Sequence, residues 1–230
     1  MLALLITVCT MSYAQMKEPK SYDPSKAIQF YFGLGGAHNN YTNLNAALKD
    51  ADLPTIGKWA MSSIGEVDLR DNSFLIGLTS NMNFSPKRND DYNTTSMSFY
   101  GGANIGYYIV NANKFHLAPQ VGIGYYGTMT KITRRNGFTD FNDVLQNGNS
   151  ININQGTAAL DFALKFDCAD FTKTSTHLTG VRLGYKLGLS KRGWGVDETN
   201  NSTIDNSPED RLSQFYAMVS IGFASQKPNK

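Results

Sequence analysis

Apolar and polar residues alternate with a period of two through most of this chain. Near its start, for example, Phe30 and Phe32 share one face and Gln29 lies on the other. Eight segments show this alternation: residues 27–37, 61–70, 73–84, 96–110, 115–130, 157–167, 178–190 and 214–224. Because successive side chains of a β-strand point to opposite faces, the pattern predicts eight half-buried strands.

The polar faces of these segments indicate which side of the strands meets water. They are rich in Gly, Ser, Asn and Tyr, whereas the outer face of a soluble sandwich should be rich in Lys, Glu and Thr. Small residues suit the inside of a narrow barrel, where they leave room for long neighbouring side chains. Most segments run to about ten or more residues, against a usual length of about 5–6 in globular proteins. We therefore predict an all-β protein, an eight-stranded antiparallel up-and-down transmembrane β-barrel with its apolar face toward lipid.

Short and long connections alternate between the predicted strands. Outer-membrane barrels have short periplasmic turns and long extracellular loops, and an even number of strands leaves both termini on the periplasmic side. The connection at residues 168–177 is long for a periplasmic turn. The short turns are predicted at residues 71–72 and 111–114, and the long loops at 38–60, 85–95, 135–156 and 191–213.

Two local patterns interrupt this simple scheme. Ile151 and Ile153 are out of phase with Ala158, which predicts a β-bulge near Gly156. Within the first long loop, residues 42–54 have apolar residues at helical spacing and end in a proline. They predict a short helix on the outer rim of the barrel, capped by Thr42 or Asn43.

Aromatic residues recur at both ends of the predicted strands. Phe74 and Phe84 lie ten residues apart on one face, or roughly 33 Å along a strand and roughly 25 Å in height at a tilt of about 40°. That height matches the apolar band of an outer-membrane barrel, which aromatic girdles flank on both sides. The other predicted girdle residues are Phe115, Phe166 and Phe223 near the periplasmic rim, and Phe99, Tyr125 and Phe215 near or toward the outer rim.

Eight charged residues fall on the inward, polar side of the predicted strands. Buried ions need partners, and the second and sixth strands of an eight-stranded ring lie opposite each other. We therefore expect ion pairs that plug the interior; the functional alternative is a gated path for protons or small solutes. The acids are Glu66, Asp68, Asp161 and Asp167, and the bases are Arg70, Lys165, Arg182 and Lys186.

The composition excludes several other classes of protein. The chain has 230 residues, 17% of them charged, and a mean hydropathy of −0.33, with no apolar run long enough to span a membrane as a helix. A formal net charge of +2 gives no electrostatic basis for nucleic-acid binding. Two cysteines cannot build a disulfide scaffold or a four-ligand zinc site.

Neither of two chemical motifs predicts a cofactor. Residues 122–127 match the G-x-G-x-x-G pattern of dinucleotide sites, but the residues after them are strand-like where such a site needs a helix. The histidines His38, His116 and His177 fall at opposite ends of the predicted barrel and cannot share one metal ion. We expect no cofactor, no metal and no enzymatic activity.

The N-terminus has the features of a targeting segment. Residues 1–10 are largely apolar, and Ser12 and Ala14 are small residues at the positions that a signal peptidase reads. We predict a signal peptide over residues 1–14, cleaved after Ala14, and a short periplasmic segment over 15–26. The barrel domain is predicted over residues 27–224 and a C-terminal tail over 225–230.

The chain resembles the small bacterial outer-membrane β-barrels of the OmpX, OmpA and OmpW group over about residues 27–223. The resemblance rests on the alternating pattern and on the last strand, FYAMVSIGF, which ends in Phe223. It implies a monomer in the bacterial outer membrane. The implied partners are outer-membrane lipid, lipopolysaccharide and, during insertion, the barrel-assembly machinery, which reads a closing aromatic strand in that family. Some barrels of the family deacylate lipid A with a His, a Ser and an acid, but His38 has no such H-x-S arrangement.

Three functions remain open on the sequence alone. The leading one is an integral outer-membrane barrel with a plugged polar interior and a structural, adhesive or envelope-interaction role. The second is a narrow, porin-like channel for small solutes. The third is a secreted soluble β-barrel that binds an apolar ligand.

Overall fold

All eight alternating segments form β-strands in the computed structural model, and the strands join in one closed sheet. The structure describes residues 22–112, 114–135, 150–171, 175–196 and 206–228. The predicted signal peptide, residues 1–14, lies outside the described residues. The barrel strands are β1 Tyr22–Asn40, β2 Trp59–Asp71, β3 Phe74–Arg88, β4 Tyr92–Tyr107, β5 Phe115–Arg134, β6 Ser150–Cys168, β7 Ser175–Gly188 and β8 Ser213–Pro228.

Each strand pairs antiparallel with its neighbours in the chain, and β8 pairs with β1 to close the barrel. A path that starts at Phe30 and follows paired residues around the barrel returns to β1 at Asn40, ten residues further along. This offset means that the strands are tilted from the barrel axis, as closure requires. The predicted eight-stranded up-and-down barrel is confirmed.

The outward face of the barrel is apolar and the inward face is polar. Along β1, for example, Leu34 points outward and is 60% exposed, whereas Gln29 points inward and is fully buried. This distribution is the reverse of a soluble protein and matches strands that face lipid. Outward apolar residues from the other strands include Leu78, Ile105, Ile123, Leu164, Leu183 and Ile221.

Several strands continue beyond the predicted ends, so two of the predicted loops are shorter than expected. β3 and β4 leave only residues 89–91 between them, where the sequence predicted a loop over 85–95. β6 begins at Ser150 and pairs with β5 without interruption, so the predicted bulge near Gly156 is wrong. Ile153 is in phase with the inward residues of β6. An apolar residue fits this inward position because it packs in an apolar cluster beyond the polar part of the lumen.

The two ends of the barrel differ in how they are covered. Helix α1, Thr42–Asp50, lies at one end, which we call the helix end. The tight β2–β3 turn, with Asn72 at a φ of 56°, lies at the other, which we call the turn end. Among the described residues, no helix is long and apolar enough to cross a membrane. Short strands in the connections are Val110–Asn111, Arg192–Gly193, Gly195–Val196 and Glu209–Asp210.

Candidate functional site

An ion-pair network fills the middle of the barrel. Lys165 on β6 places Nζ 2.6 Å from Asp68 Oδ2 and 3.2 Å from Glu66 Oε1, both on β2. The same ammonium lies 3.9 Å from Asp167 Oδ2. Gln120 donates a hydrogen bond of 3.1 Å to Glu66 Oε1. All four ionic side chains are buried, so the three acidic groups meet one shared ammonium and protein hydrogen-bond donors rather than water.

Arg182 on β7 extends this network toward the helix end. Its Nη1 contacts Glu66 Oε2, and its Nη2 lies 3.2 Å from Asp161 Oδ2. Its Nε donates a hydrogen bond of 3.1 Å to the Tyr216 hydroxyl, which in turn donates to Asp161 Oδ1 at 2.9 Å. The planar guanidinium therefore holds three groups from three strands in fixed positions. We call Glu66, Asp68, Asp161, Lys165, Asp167 and Arg182 the central network.

Glycines on the inward face make room for the central network. A Cβ atom on Gly77 would lie 1.9 Å from Asp68 Oδ1, and one on Gly184 would lie 2.3 Å from the Tyr216 ring. Neither distance is compatible with a side chain larger than hydrogen. Inward glycines in this barrel thus accommodate the long side chains of neighbouring strands.

Aromatic hydroxyl groups connect the central network to the turn end. Asp167 Oδ2 lies 3.0 Å from the Tyr31 hydroxyl and 3.3 Å from the Tyr108 hydroxyl. The same two hydroxyl groups lie 3.0 Å and 3.3 Å from Gln29 Oε1. The Lys165 ammonium also lies 3.4 Å from the centre of the Tyr31 ring, which is a close cation–π contact.

Lys186 occupies the level of the lumen above the central network, toward the helix end. Its Nζ lies 3.6 Å from the centre of the Tyr216 ring and 5.3 Å from that of Tyr100. It donates a long hydrogen bond of 3.5 Å to Gln214 Oε1, and Gln214 donates to Asn39 Oδ1 at 2.6 Å. Lys186 and Gln214 are both fully buried, so the side chains fill the lumen here too.

The turn end is filled by the long connection between β6 and β7. Phe171 folds back into the barrel, where its ring lies 4.1 Å from the Arg70 guanidinium and 4.7 Å from the His116 ring. Asn111 Oδ1 lies 3.1 Å from Arg70 Nη2 and 2.8 Å from His116 Nδ1. The length of this connection therefore has a structural reason, since it supplies the aromatic side chain that fills this end.

The helix end is closed by an apolar cluster that we call the outer plug. Leu44 and Leu48 turn the buried face of α1 toward Trp194, and Tyr41 packs edge-on against the Trp194 ring at 5.8 Å. Burial raises the pKa of the Tyr41 hydroxyl, so this group stays protonated. The outer plug contains Tyr41, Leu44, Leu48, Ile56, Tyr100, Tyr126, Ile132, Ile153, Ala159, Trp194 and Leu212.

Asp210 connects α1 to the outer plug by hydrogen bonds. Its Oδ1 accepts a hydrogen bond of 2.9 Å from the Asn43 backbone N–H, and its Oδ2 accepts one of 2.9 Å from that of Leu44. The Trp194 Nε1 also donates to Oδ2, at 3.0 Å. The helix was predicted correctly, but the predicted cap was wrong: Thr42 bonds to Asn40, and the orphan N–H groups are satisfied from a distant loop.

The structure places all eight predicted interior charges inside the barrel. Six of them form the central network, whereas Lys186 lies above it and Arg70 lies at the turn end. The sequence did not single out Tyr31, Tyr216 or Phe171, which complete the filling of the lumen. Tyr31 and Tyr216 did lie on the polar face of their strands, and that position was the available signal.

The predicted girdle residues lie in two bands on the outside of the barrel. Toward the turn end, Phe115 stacks on Phe166 at 6.1 Å, and Phe223 stacks on Phe30 at 4.8 Å. Phe74 meets Tyr107 edge-on at 5.0 Å in the same band. Toward the helix end, Phe99 lies 5.8 Å from Tyr125, and Phe84 and Phe215 lie at similar heights. Trp59, which is 72% exposed, adds to this second band.

The described residues offer no metal-binding group of three or more His, Cys, Asp or Glu side chains. Residues 122–127 lie inside strand β5, not at the start of a helix. A Cβ on Gly127 would lie 2.5 Å from the Phe99 ring, so this glycine lets an aromatic side chain cover the strand. His38 contacts the Trp59 ring edge-on at 4.9 Å, far along β1 from the turn end where His116 lies.

The apolar band, polar filled interior and closed antiparallel sheet together define the architecture of a transmembrane β-barrel. No family model matches the chain, and comparison with curated proteins gives no match. Among solved structures, the chain is similar to Ail, the attachment invasion locus protein of Yersinia pestis, with a TM-score of 0.49 and 8% identity over 87% of this chain and 99% of that one.

Two further solved structures are similar over most of their length. Neisserial surface protein A has a TM-score of 0.44 and 13% identity, over 87% of this chain and 99% of that one. The outer membrane protease OmpT from Escherichia coli has a TM-score of 0.39 and 9% identity, over 91% of this chain and 99% of that one. The absence of enzymatic activity in the present chain stays a prediction.

Proposed function

We propose that this chain is an integral protein of the bacterial outer membrane whose barrel does not conduct solutes. The observation that carries the proposal is the column of buried side chains through the lumen. Phe171 fills the turn end, the central network fills the middle, and the outer plug fills the helix end. A role in envelope structure, adhesion or contact with other envelope components follows, because transport would need an open path.

The distribution of polarity supports the membrane location. Apolar side chains cover the outside between the two aromatic bands, which is the arrangement of lipid-facing strands. In a secreted barrel that binds an apolar ligand, the apolar side chains would face inward. The interior of this barrel instead carries Asp68, Asp167 and Lys186 with no accessible surface or almost none.

The helix end offers the larger surface for contacts outside the membrane. β5 continues nine residues past Tyr125 to Arg134, and β6 begins at Ser150, so this part of the sheet projects beyond the aromatic band. The projection amounts to roughly 20 Å at a strand tilt of about 40°. Lys131 on this part of the sheet and Arg88 at the end of β3 point outward and are exposed. We propose that they contact lipopolysaccharide phosphates, with the turn end in the periplasm.

Two measurements on the purified full chain test this function. We expect insertion into outer-membrane lipid with a heat-modifiable mobility on gels, and no single-channel current in planar bilayers. A protein that stays monomeric in buffer without detergent would refute the membrane location. Steady single-channel currents would refute the closed lumen and favour the narrow channel.

Insertion by the barrel-assembly machinery is proposed as well, since β8 pairs along its length with β1 and ends its outward aromatic series at Phe223. Phe223→Ala should slow machinery-dependent insertion, whereas Phe162→Ala, an outward aromatic inside β6, should not. Equal insertion rates for the two variants would argue against recognition of the last strand.

A further inference from the structure

The aromatic band at the turn end has a gap on β2, between Phe30 on β1 and Phe74 on β3. Three aliphatic residues, Ile28, Leu69 and Ile76, form one row across these strands by direct pairing. The Phe30–Phe223 stack lies on one side of the row, and Phe74, held against Tyr107, lies on the other. An open groove of about 590 Å³ lies over this gap, and Ser225 and Gln226 of β8 line it together with the aliphatic row.

Two opposite charges stand at the end of this groove that would meet the headgroups. Lys26 on β1 and Asp71 on β2 are directly paired, line the groove and are exposed. Asp71 Oδ1 accepts a hydrogen bond of 3.1 Å from Asn72 Nδ2. Arg70, although it borders the groove, turns its guanidinium into the barrel toward Asn111 and Phe171. The groove therefore presents one cation and one anion beside an aliphatic floor.

We propose that this groove binds one zwitterionic phospholipid of the periplasmic leaflet, with phosphatidylethanolamine as the matching chemistry. The phosphate would pair with the Lys26 ammonium and the lipid ammonium with the Asp71 carboxylate. An acyl chain would lie on Ile28, Leu69 and Ile76, with the Phe74 ring at its side. The proposal rests on the membrane location argued above and adds a specific lipid and a specific face of the barrel.

Native mass spectrometry of the full chain in detergent, with added phosphatidylethanolamine or phosphatidylglycerol, tests the proposal. Wild type should retain one phosphatidylethanolamine about tenfold more strongly than phosphatidylglycerol, because the latter has no ammonium for Asp71. Leu69→Trp should fill the groove and abolish this preference. Ile105→Trp is the matched control: it is an aliphatic residue of the same row on β4, beyond Phe74 and Tyr107, and should retain the lipid.

A charge variant tests the headgroup assignment separately. Asp71→Asn should remove the preference and raise phosphatidylglycerol binding to the level of phosphatidylethanolamine. Heat-modifiable mobility is measured on every sample, so a failure of the barrel to insert would count against the membrane location. Inserted Leu69→Trp that binds phosphatidylethanolamine as well as Ile105→Trp would overturn the groove as the site. An unchanged preference in Asp71→Asn would overturn the headgroup pairing.

Discussion

Lys165 on β6 and Asp68 on β2 meet across the full width of the barrel, with Nζ and Oδ2 2.6 Å apart. Three strands separate β2 from β6 in either direction around the sheet. This contact joins opposite walls of the barrel directly, whereas the backbone hydrogen bonds of the sheet connect them only through three intervening strands. The lumen at this level is as narrow as two side chains.

Removal of the Lys165 ammonium should destabilise the barrel. We expect Lys165→Met to lower the free energy of unfolding by about 3–5 kcal/mol, because Asp68 then stays buried without its cation and Glu66 keeps only Arg182. The measurement is equilibrium unfolding by urea in phospholipid vesicles. Lys131→Met, at an exposed outward lysine, is the control and should change stability by less than about 0.5 kcal/mol. Similar values for both variants would mean that the central network does not contribute as described.

The inward glycines predict a second set of variants. Gly184→Ala places a Cβ 2.3 Å from the Tyr216 ring and should destabilise the barrel by about 1–3 kcal/mol. Gly101→Ala is a matched control, since no atom lies within 4 Å of the added Cβ. Unfolding in vesicles measures both. If Gly184→Ala is as stable as Gly101→Ala, the Tyr216 ring has room to move and the interior is less tightly filled than the structure indicates.

The orientation of the two faces predicts an effect that depends on depth. Leu183 points outward on β7 about midway between the aromatic bands, and Leu183→Arg should cost about 2–4 kcal/mol. Leu189 follows β7 at the helix end and is 48% exposed. Leu189→Arg should cost only about 0–1 kcal/mol there. Stability and yield of vesicle-inserted protein report both, and equal costs would place the bilayer elsewhere on the barrel.

The contacts of Asp210 predict that α1 opens when this carboxylate is removed. In a Trp59→Phe background, Trp194 is the one remaining tryptophan. Asp210→Ala should shift its fluorescence to longer wavelength, increase quenching by acrylamide and admit protease to residues 42–50. Asp50→Ala, an exposed residue at the end of α1, controls for a general effect of lost charge. Unchanged fluorescence and protection in Asp210→Ala would show that the outer plug does not depend on this residue.

The faces of the strands were predictable because one period governs them over the whole membrane-facing length. Gln29 and Phe30 needed only their positions in the alternation to be placed correctly. The period failed as a guide near Ile153, since the barrel interior becomes apolar above the membrane-facing region, where α1 and Trp194 cover it. An apolar residue there points inward, and the sequence interpretation read this change of environment as a bulge.

Contacts between distant segments could not be predicted from the sequence pattern. The stack of Phe30 on Phe223 depends on the register between the first and last strands, which alternation alone leaves undetermined. The prediction of the α1 cap was wrong for the same reason. Thr42 satisfied the local sequence rule, but the fold brings the Asp210 carboxylate to the helix N-terminus, where it accepts the hydrogen bonds.

The hydrogen bonds between the Asp210 carboxylate and α1 also bear on the order of folding. Asp210 lies three residues before β8, and its carboxylate accepts hydrogen bonds from the backbone N–H groups of Asn43 and Leu44, which precede it by 167 and 166 positions. Because this acceptor comes from the far end of the chain, we expect α1 to gain it late in folding. Packing of α1 on the outer plug should then follow the pairing of β8 with β1.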